Sequence, residues 1–266
     1  MIQKCEAIVL RSLDYRDESK IVTLYTKQFG ILSAIAKGVR KPGAKMSSVF
    51  EPSYSIDAIL YRKTTRDLQL ISDATVRESF PEISLSLERL KYVMQVLEIV
   101  RLSITESDPQ IKIFLLLKDF LRAIAQAKKN YQNFFFLFQI KFISELGFKP
   151  DFSKSVISGL DLKEILEAGI KSYKLPKLVM ITGLGGIALK DEAKANGLNA
   201  MEISVQAFKL FDILSKEKFD SLESIIIQPT TAAEIARMLD QYYRTHLQDL
   251  PPLRSKDVFG QMSDFI

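Results

Sequence analysis

The clearest candidate for chemistry in this chain is a cluster of basic side chains close to its beginning. Four of them lie within nine residues, 37–45, that contain no acidic residue and include two glycines, which let backbone approach a partner closely. These four are Lys37, Arg40, Lys41 and Lys45. Phosphate oxygens are natural partners for such a group, because concentrated positive charge attracts polyanions. The segment therefore predicts an anion-binding loop, and a solvated basic loop is the alternative.

The distribution of charge supports this interpretation. The 266 residues include 37 Lys or Arg and 32 Asp or Glu, a net charge of +5. Residues 1–50 hold nine basic and four acidic residues, so the whole excess lies there. Aromatic residues that could stack on nucleic-acid bases are interleaved with these cations. They are Tyr15, Tyr25, Phe29 and Tyr61.

Several classes of protein are excluded by what the composition lacks. The chain has one cysteine, Cys5, which excludes a disulfide framework and a thiolate zinc cluster. It has one histidine, His246, and we expect no Ser-His or Cys-His triad. No G-x-x-x-x-G-K-[ST] phosphate loop is present. We therefore expect no catalytic residue, no metal and no cofactor. Without an 18-residue uncharged apolar run or a signal sequence, we expect a cytoplasmic protein with no membrane partner.

One segment suggests a different function. Gly183, Gly185 and Ala188 follow an apolar run in a G-x-G-x-x-A pattern, and Glu202 comes about 20 residues later, as in a dinucleotide-binding site. Such a site needs parallel βαβ units, whereas the stretch before residue 178 has a helical pattern. A nucleotide-dependent enzyme is therefore the weaker alternative.

The elements that would position the basic loop follow from hydrophobic periodicity. Short β-rich segments separated by turn residues predict five strands within the first 80 residues. They cover 6–13, 19–26, 31–37, 53–61 and 67–73. Five short strands suit a small closed barrel of the OB type, and an SH3-like barrel is the alternative. Strand count alone does not separate the two.

Beyond Pro81 the apolar period changes to 3.6 residues, which predicts helices. We expect helices at 84–106, 161–173 and 204–218, and a buried Phe-rich helix that ends near 146. Two further helices are predicted from their caps. One runs from an Asp108 N-cap to about 127, and the other from a Thr231 to Glu234 capping box to about 247. The predicted fold is α+β and multidomain, with a barrel domain at 1–80 and a helical domain at 81–266.

Three segments, in order along the chain, resemble the RecO family of bacterial DNA repair proteins. The first is 7–26, AIVLRSLDYRDESKIVTLYT, with Phe29-Gly30 and 36–40, AKGVR. The second is 145–151, ELGFKPD, which is similar to the family's Leu-Gly-Phe-x-Pro turn. The third runs from His246-Leu247 through Pro252-Leu253-Arg254-Ser255 and resembles the family's closing motif.

The resemblance implies a recombination mediator. Such a protein binds single- and double-stranded DNA, anneals complementary strands, contacts the acidic C-terminal tail of single-strand DNA-binding protein (SSB), and with RecR helps load RecA onto SSB-coated DNA. It would be cytoplasmic and associated with the nucleoid during repair. An RNA-binding OB module is the main alternative, because it would share the basic barrel.

For that function, the basic face of the barrel and the surroundings of the Phe-rich helix supply candidate residues. The cations expected to neutralise DNA phosphates are Arg11, Lys20, Lys37, Arg40, Lys41, Lys45, Arg62, Lys63 and Arg66. The cations proposed to border a pocket for the SSB tail are Arg122, Lys128, Lys129 and Lys141.

One departure from the family concerns zinc. Many members carry two Cys-x-x-Cys pairs after the Leu-Gly-Phe turn, whereas residues 152–193 contain no cysteine. We therefore expect a degenerate, metal-free, zinc-finger-like hairpin within about 151–200, in which packing replaces the metal.

Overall fold

A computed structural model describes residues 1–63, 65–105 and 108–263 of the chain. The chain divides into two compact units. The first combines residues 1–131 with the segment from Pro251 onward, and the second is Gln132–Leu250.

The first unit contains a closed five-stranded barrel with the strand order β1-β2-β3-β5-β4. The strands are β1 (Ile2–Tyr15), β2 (Ser19–Thr26), β3 (Gly30–Ala36), β4 (Ser55–Tyr61) and β5 (Leu68–Glu78). β1 pairs antiparallel with both β2 and β4, and β3 runs parallel to β5. This order is that of an OB fold, so the OB prediction is confirmed and the SH3-like alternative is not.

β1 is the strand that closes the barrel. At 14 residues it is much longer than the predicted 6–13, and its pairing with β2 shifts in register between Val9 and Arg11. Such an irregularity bends a strand, which allows β1 to pair with β2 along one half and with β4 along the other. The barrel interior is filled by apolar side chains including Val22, Leu24 and Phe50.

Three helices belong to the same unit as the barrel. They are α1 (Leu87–Ser103), α2 (Ile111–Gln126) and α8 (Arg254–Ser263). α2 starts later than predicted, because Gln110 is its N-cap residue and the predicted Asp108 cap is wrong. The backbone of Asp108 instead lies against Gly30, where an added Cβ would come within 2.5 Å of the Asp108 carbonyl oxygen. The Tyr25 hydroxyl also donates to the Gln110 carbonyl at 2.8 Å, so the residues just before α2 are held against the barrel.

The second unit is mainly helical. Its elements are α3 (Tyr131–Glu145, whose first residue belongs to the other unit), α4 (Leu162–Lys171), β6 (Leu178–Ile181), β7 (Gly186–Leu189), α5 (Lys190–Ala195), β8 (Met201–Ile203), α6 (Val205–Lys216) and α7 (Pro229–His246). α3 is buried nearly all round, as predicted from its phenylalanines. The three strands form an antiparallel sheet in the order β7-β6-β8.

The predicted capping box at the last long helix is wrong. α7 begins at Pro229, ahead of Thr231, and its N-cap residue Gln228 makes no side-chain cap. The Glu234 carboxylate instead accepts hydrogen bonds from the backbone N–H and the hydroxyl of Ser204, the N-cap residue of α6. The Glu234 side chain therefore binds the start of α6 and not the start of its own helix, α7.

Candidate functional site

The basic loop connects β3 to β4 and is anchored to the barrel at its ends. Val39, Val49 and Phe50 are buried in the barrel core, whereas the four predicted cations project from the loop and are exposed. The backbone N–H of Arg40 donates to the carbonyl of Glu18 at 3.0 Å. The loop therefore lies against the turn between β1 and β2.

Acidic side chains at the end of β1 and in that turn pair with the loop. The Arg40 guanidinium lies 3.2 Å from the Asp14 carboxylate and donates to the Arg16 carbonyl at 2.9 Å. Lys41 pairs with Glu18 at 3.1 Å. The sequence separates these partners by more than 20 residues, so no local signal marks them. The loop is thus a basic surface whose charge is partly balanced in the free protein.

Two further predicted cations have acidic partners from other segments. Lys20 lies 3.4 Å from Glu51, and Lys45 lies 3.8 Å from Asp73. The Lys45 pair is exposed, and such a pair contributes only about 0.2–1 kcal/mol, so a polyanion can displace its carboxylate. The Lys20 side chain is only 17% exposed. Lys37 is exposed and, among the described residues, has no carboxylate within 4.0 Å.

The β4–β5 loop contains three more of the cations predicted to bind DNA phosphates: Arg62, Lys63 and Arg66. The Arg62 guanidinium stacks over the ring of Phe29, 4.7 Å from its centroid, so the structure joins this loop to the β2–β3 turn. Lys63 and Arg66 are exposed. The buried amide of Gln69 binds the backbone N–H of Lys63 at 2.8 Å and the Lys63 carbonyl at 3.1 Å, which fixes the shape of the loop.

The predicted stacking aromatics divide into two groups. Tyr25 is fully buried and hydrogen-bonded, so it belongs to the core and does not stack on bases. Burial, with a smaller contribution from the charge of Asp108, raises its pKa well above the usual range. Tyr61 is 47% exposed, and Tyr15 is half-buried beside the Arg16 guanidinium at 5.2 Å. The aromatic rings that remain accessible lie at strand ends close to the basic loops.

Arg11 is near enough to Arg101 for its charge to act there, a proximity that the sequence did not reveal. The pKa of Arg101, at the end of α1, is lowered mainly by burial and further by the charges of Arg11 and Arg254. Arg101 also lies 3.8 Å from Glu98. The three arginines are about 90 and 150 positions apart, so only folding brings them together.

The G-x-G-x-x-A segment does not form a dinucleotide site. β6 leads into a short turn in which Gly185 has a φ of 75°, and the chain returns as the antiparallel strand β7. A dinucleotide fingerprint requires a parallel strand followed by a helix at this point. The nucleotide-dependent alternative is therefore contradicted by the antiparallel pairing.

Two protein-family models match successive parts of the chain. A model described as recombination protein O N terminal matches residues 1–80, and one described as recombination protein O C terminal matches residues 84–257. The chain belongs to the RecO family. The RecO proteins are DNA repair and recombination proteins, and the resemblance inferred from the sequence is confirmed.

Curated relatives cover nearly the whole chain. The DNA repair protein RecO of Chloroherpeton thalassium is 39% identical over 265 residues, which are 98% of this chain and 99% of that protein. The RecO proteins of Chlorobium limicola and Pelodictyon phaeoclathratiforme are 31% and 30% identical, each over 98% of this chain and 99% of the relative. The similarity to RecO proteins therefore extends through both compact units.

The cations assigned to an SSB-tail pocket fall in both units. Arg122 on α2 makes two hydrogen bonds to the Glu78 carboxylate at 2.7 and 3.1 Å. Lys128 and Lys129 are exposed in the connection after α2, within the first unit, whereas Lys141 lies on α3 in the second. Their role in this RecO-family chain stays a prediction.

Residues 151–200, where a metal-free zinc-finger-like hairpin is expected, contain the antiparallel β6–β7 hairpin, and its likeness to a zinc finger stays a prediction. The Ser155 hydroxyl binds the Glu192 carboxylate at 2.5 Å, and Val156 packs on the core of Val179, Ile181 and Ala188. Within 1–63, 65–105 and 108–263, no group of three His, Cys, Asp or Glu side chains could hold a metal ion. None of the helices described there is long and apolar enough to cross a bilayer.

Proposed function

We propose that this RecO-family chain binds single- and double-stranded DNA through residues 1–80, anneals complementary strands and, together with RecR, helps load RecA onto SSB-coated DNA. The observation that carries the proposal is the set of exposed cations on the β3–β4 loop of an OB barrel. RecR, RecA and the acidic tail of SSB enter through the family resemblance. The protein acts as a mediator, without a catalytic step of its own.

Annealing requires that two negatively charged strands approach while their bases stay free to pair. Cations that contact phosphates reduce the repulsion without occupying base edges. The β3–β4 and β4–β5 loops present such cations at the surface of a rigid barrel. Sequence-independent binding follows, because phosphates carry no sequence information.

The binding test removes two cations of the basic loop. Lys37→Ala with Arg40→Ala should weaken single-stranded DNA binding and reduce the slope of log K against log salt concentration by about 0.7 for each lost phosphate contact. Fluorescence anisotropy of a labelled oligonucleotide over a salt series measures both. Lys154→Ala with Lys218→Ala, two exposed lysines of the second unit, is the control with the same charge loss. An unchanged slope in the loop variant would exclude the loop as the DNA site.

The annealing test uses complementary oligonucleotides coated with cognate SSB and no nucleotide cofactor. We expect faster annealing with intact SSB than with SSB that lacks its acidic tail. Equal rates with the two forms would remove the tail from the proposal. Stronger binding to RNA than to single-stranded DNA in direct competition would favour the RNA-binding alternative.

A further inference from the structure

The loop that follows α4 in the second unit combines positive charge with an uncovered aromatic ring. Its sequence at 171–177 is KSYKLPK, with three lysines and no acid in seven residues. Tyr173 is 100% exposed and Leu175 is 52% exposed. The predicted helix at 161–173 placed this tyrosine in the last helical turn, whereas α4 ends at Lys171.

The loop has a defined conformation that directs the ring into solvent. Tyr173 has a φ of 55°, its N–H donates to the Ile170 carbonyl at 3.2 Å, and the Lys174 N–H donates to the Gly169 carbonyl at 2.9 Å. These two bonds form a Schellman motif, in which the residue at the Tyr173 position is usually glycine. A tyrosine in this left-handed conformation carries a free-energy cost that glycine does not.

The rest of the loop folds back tightly onto α4. A Cβ added to Gly169 would lie 2.9 Å from Cδ of Pro176 and 3.0 Å from the Lys174 carbonyl oxygen. The backbone of the loop is therefore packed closely against the last turn of the helix. The ring of Tyr173 is held on a fixed support although it is itself uncovered.

The charges around the ring are available to an anion. Lys171 and Lys174 are exposed and, within the described parts of the chain, have no carboxylate within 4.0 Å. Lys177 lies near Glu202, but that carboxylate is already paired with Lys190. A single lysine after a helix would only complement the helix dipole. Three lysines around an exposed ring provide contacts for phosphates and a stacking surface for a base.

We infer that loop 171–177 is a second contact for single-stranded nucleic acid, in which the Tyr173 ring stacks on an unpaired base and the flanking lysines neutralise adjacent phosphates. This inference rests on the proposed function, because it assumes that single-stranded DNA is a ligand of the protein. It adds a base contact in a unit separate from the barrel. Stacking needs a free base face, so the contact discriminates single strands from duplex.

The first experiment introduces a fluorophore at the ring position. The chain contains no tryptophan, so Tyr173→Trp creates a unique reporter. Titration with oligothymidylate at low salt should quench its emission, because the indole stacks on a base. Ile226→Trp, at a position of the same unit that is 82% exposed, is the control and should not be quenched.

The second experiment separates the ring from the fold. Tyr173→Gly removes the stacking surface and suits the left-handed conformation, so the variant should unfold at the same temperature or higher. Its affinity for single-stranded DNA should fall by about fivefold to 150-fold, the range measured for loss of one stacked base. Its affinity for duplex DNA should stay within twofold of that of the unaltered protein.

The outcomes separate the two proposals. Suppose that the unaltered protein binds oligothymidylate by anisotropy, but the indole of the Tyr173→Trp variant is not quenched and Tyr173→Gly binds equally well. Loop 171–177 is then not a contact, and the proposed function stands. If Tyr173→Gly lowered the affinity for duplex DNA as much as the affinity for single-stranded DNA, the stacking of Tyr173 on an unpaired base would be excluded. Quenching of the indole by an acidic peptide or by anionic vesicles, with none by the oligonucleotide, would also overturn the inference. If the unaltered protein binds no DNA, the proposed function itself fails.

Discussion

Asp14 and Glu18 pair with two cations of the basic loop that is proposed to bind phosphates. Their carboxylates lie 3.2 Å from Arg40 and 3.1 Å from Lys41. Both pairs are substantially exposed, so each contributes little to folding. Each pair must nevertheless open before the cation can bind DNA. If the loop binds DNA as proposed, the two acids compete with the phosphate backbone for the same cations.

Replacing these acids should strengthen DNA binding. Asp14→Asn with Glu18→Gln is expected to raise the affinity for single-stranded DNA by about two- to thirtyfold at low salt, since two exposed pairs no longer have to open. Anisotropy titration measures the change. Glu167→Gln with Asp220→Asn removes the same charge from exposed positions of the second unit. An equal gain in that control would attribute the effect to net charge alone.

Ion pairs on one face of the barrel attach α2 to the strands. The Lys118 ammonium group contacts the Glu6 carboxylate on β1 and lies 3.8 Å from Glu78 on β5. The side chains of Lys118 and Glu6 are only 11% and 12% exposed. Arg122, one turn further along α2, holds Glu78 at 2.7 Å. A lysine at this position of α2 is thus a docking residue, because it lies four residues after Phe114 and three before Leu121 on the buried face of the helix.

Breaking this buried pair should cost substantial stability. Lys118→Met is expected to lower the free energy of unfolding by about 3 kcal/mol, because Glu6 is left buried without its main partner. Urea denaturation followed by circular dichroism measures the loss. Lys118→Met with Glu6→Leu removes both charges and should recover most of it. If the two substitutions were simply additive, the pair would not couple the helix to the barrel.

The chain begins and ends in the same compact unit. After α7 it returns, and α8 joins the unit that contains the barrel and α1. The Glu98 carboxylate of α1 accepts hydrogen bonds from the N–H of Arg254 at 3.2 Å and from the N–H and hydroxyl of Ser255 at 2.9 and 2.6 Å. One carboxylate therefore satisfies three donors at the start of α8.

Removing that carboxylate should release the end of the chain. Glu98→Ala is expected to destabilise the docking of α8 by about 1–2 kcal/mol, as for loss of a helix cap. Hydrogen exchange should become faster in 254–263, while the amides of β6 and β7 in the other unit serve as an internal reference. Unchanged exchange in 254–263 would show that apolar packing alone holds α8.

The order of the five barrel strands and of the longer helices follows from the sequence by itself, because periodicity depends on neighbours along the chain. The short elements α5 and β8 and the last helix, α8, were not predicted. β-Rich segments bounded by turn residues placed all five barrel strands, and the phenylalanine run identified α3 as a buried helix. The caps at Asp108 and Thr231 were wrong because other contacts took precedence over local pairing: Gly30 and Tyr25 hold the segment before α2, and Glu234 binds Ser204. Local signals specify an element more reliably than they specify its end.

The cations of the candidate site were also evident from the sequence, since Lys37, Arg40, Lys41 and Lys45 are close neighbours in the chain. Three other features were not evident from the sequence: the acidic partners of these cations, the burial of Tyr25, and the proximity of Arg11 and Arg254 to Arg101. Each of them depends on residues that are far apart in sequence. The spacing of lysines around Tyr173 was a signal that could have been recognised. Only the tertiary structure shows that this ring is fully exposed on a closely packed turn, because side-chain exposure depends on what the rest of the chain packs against.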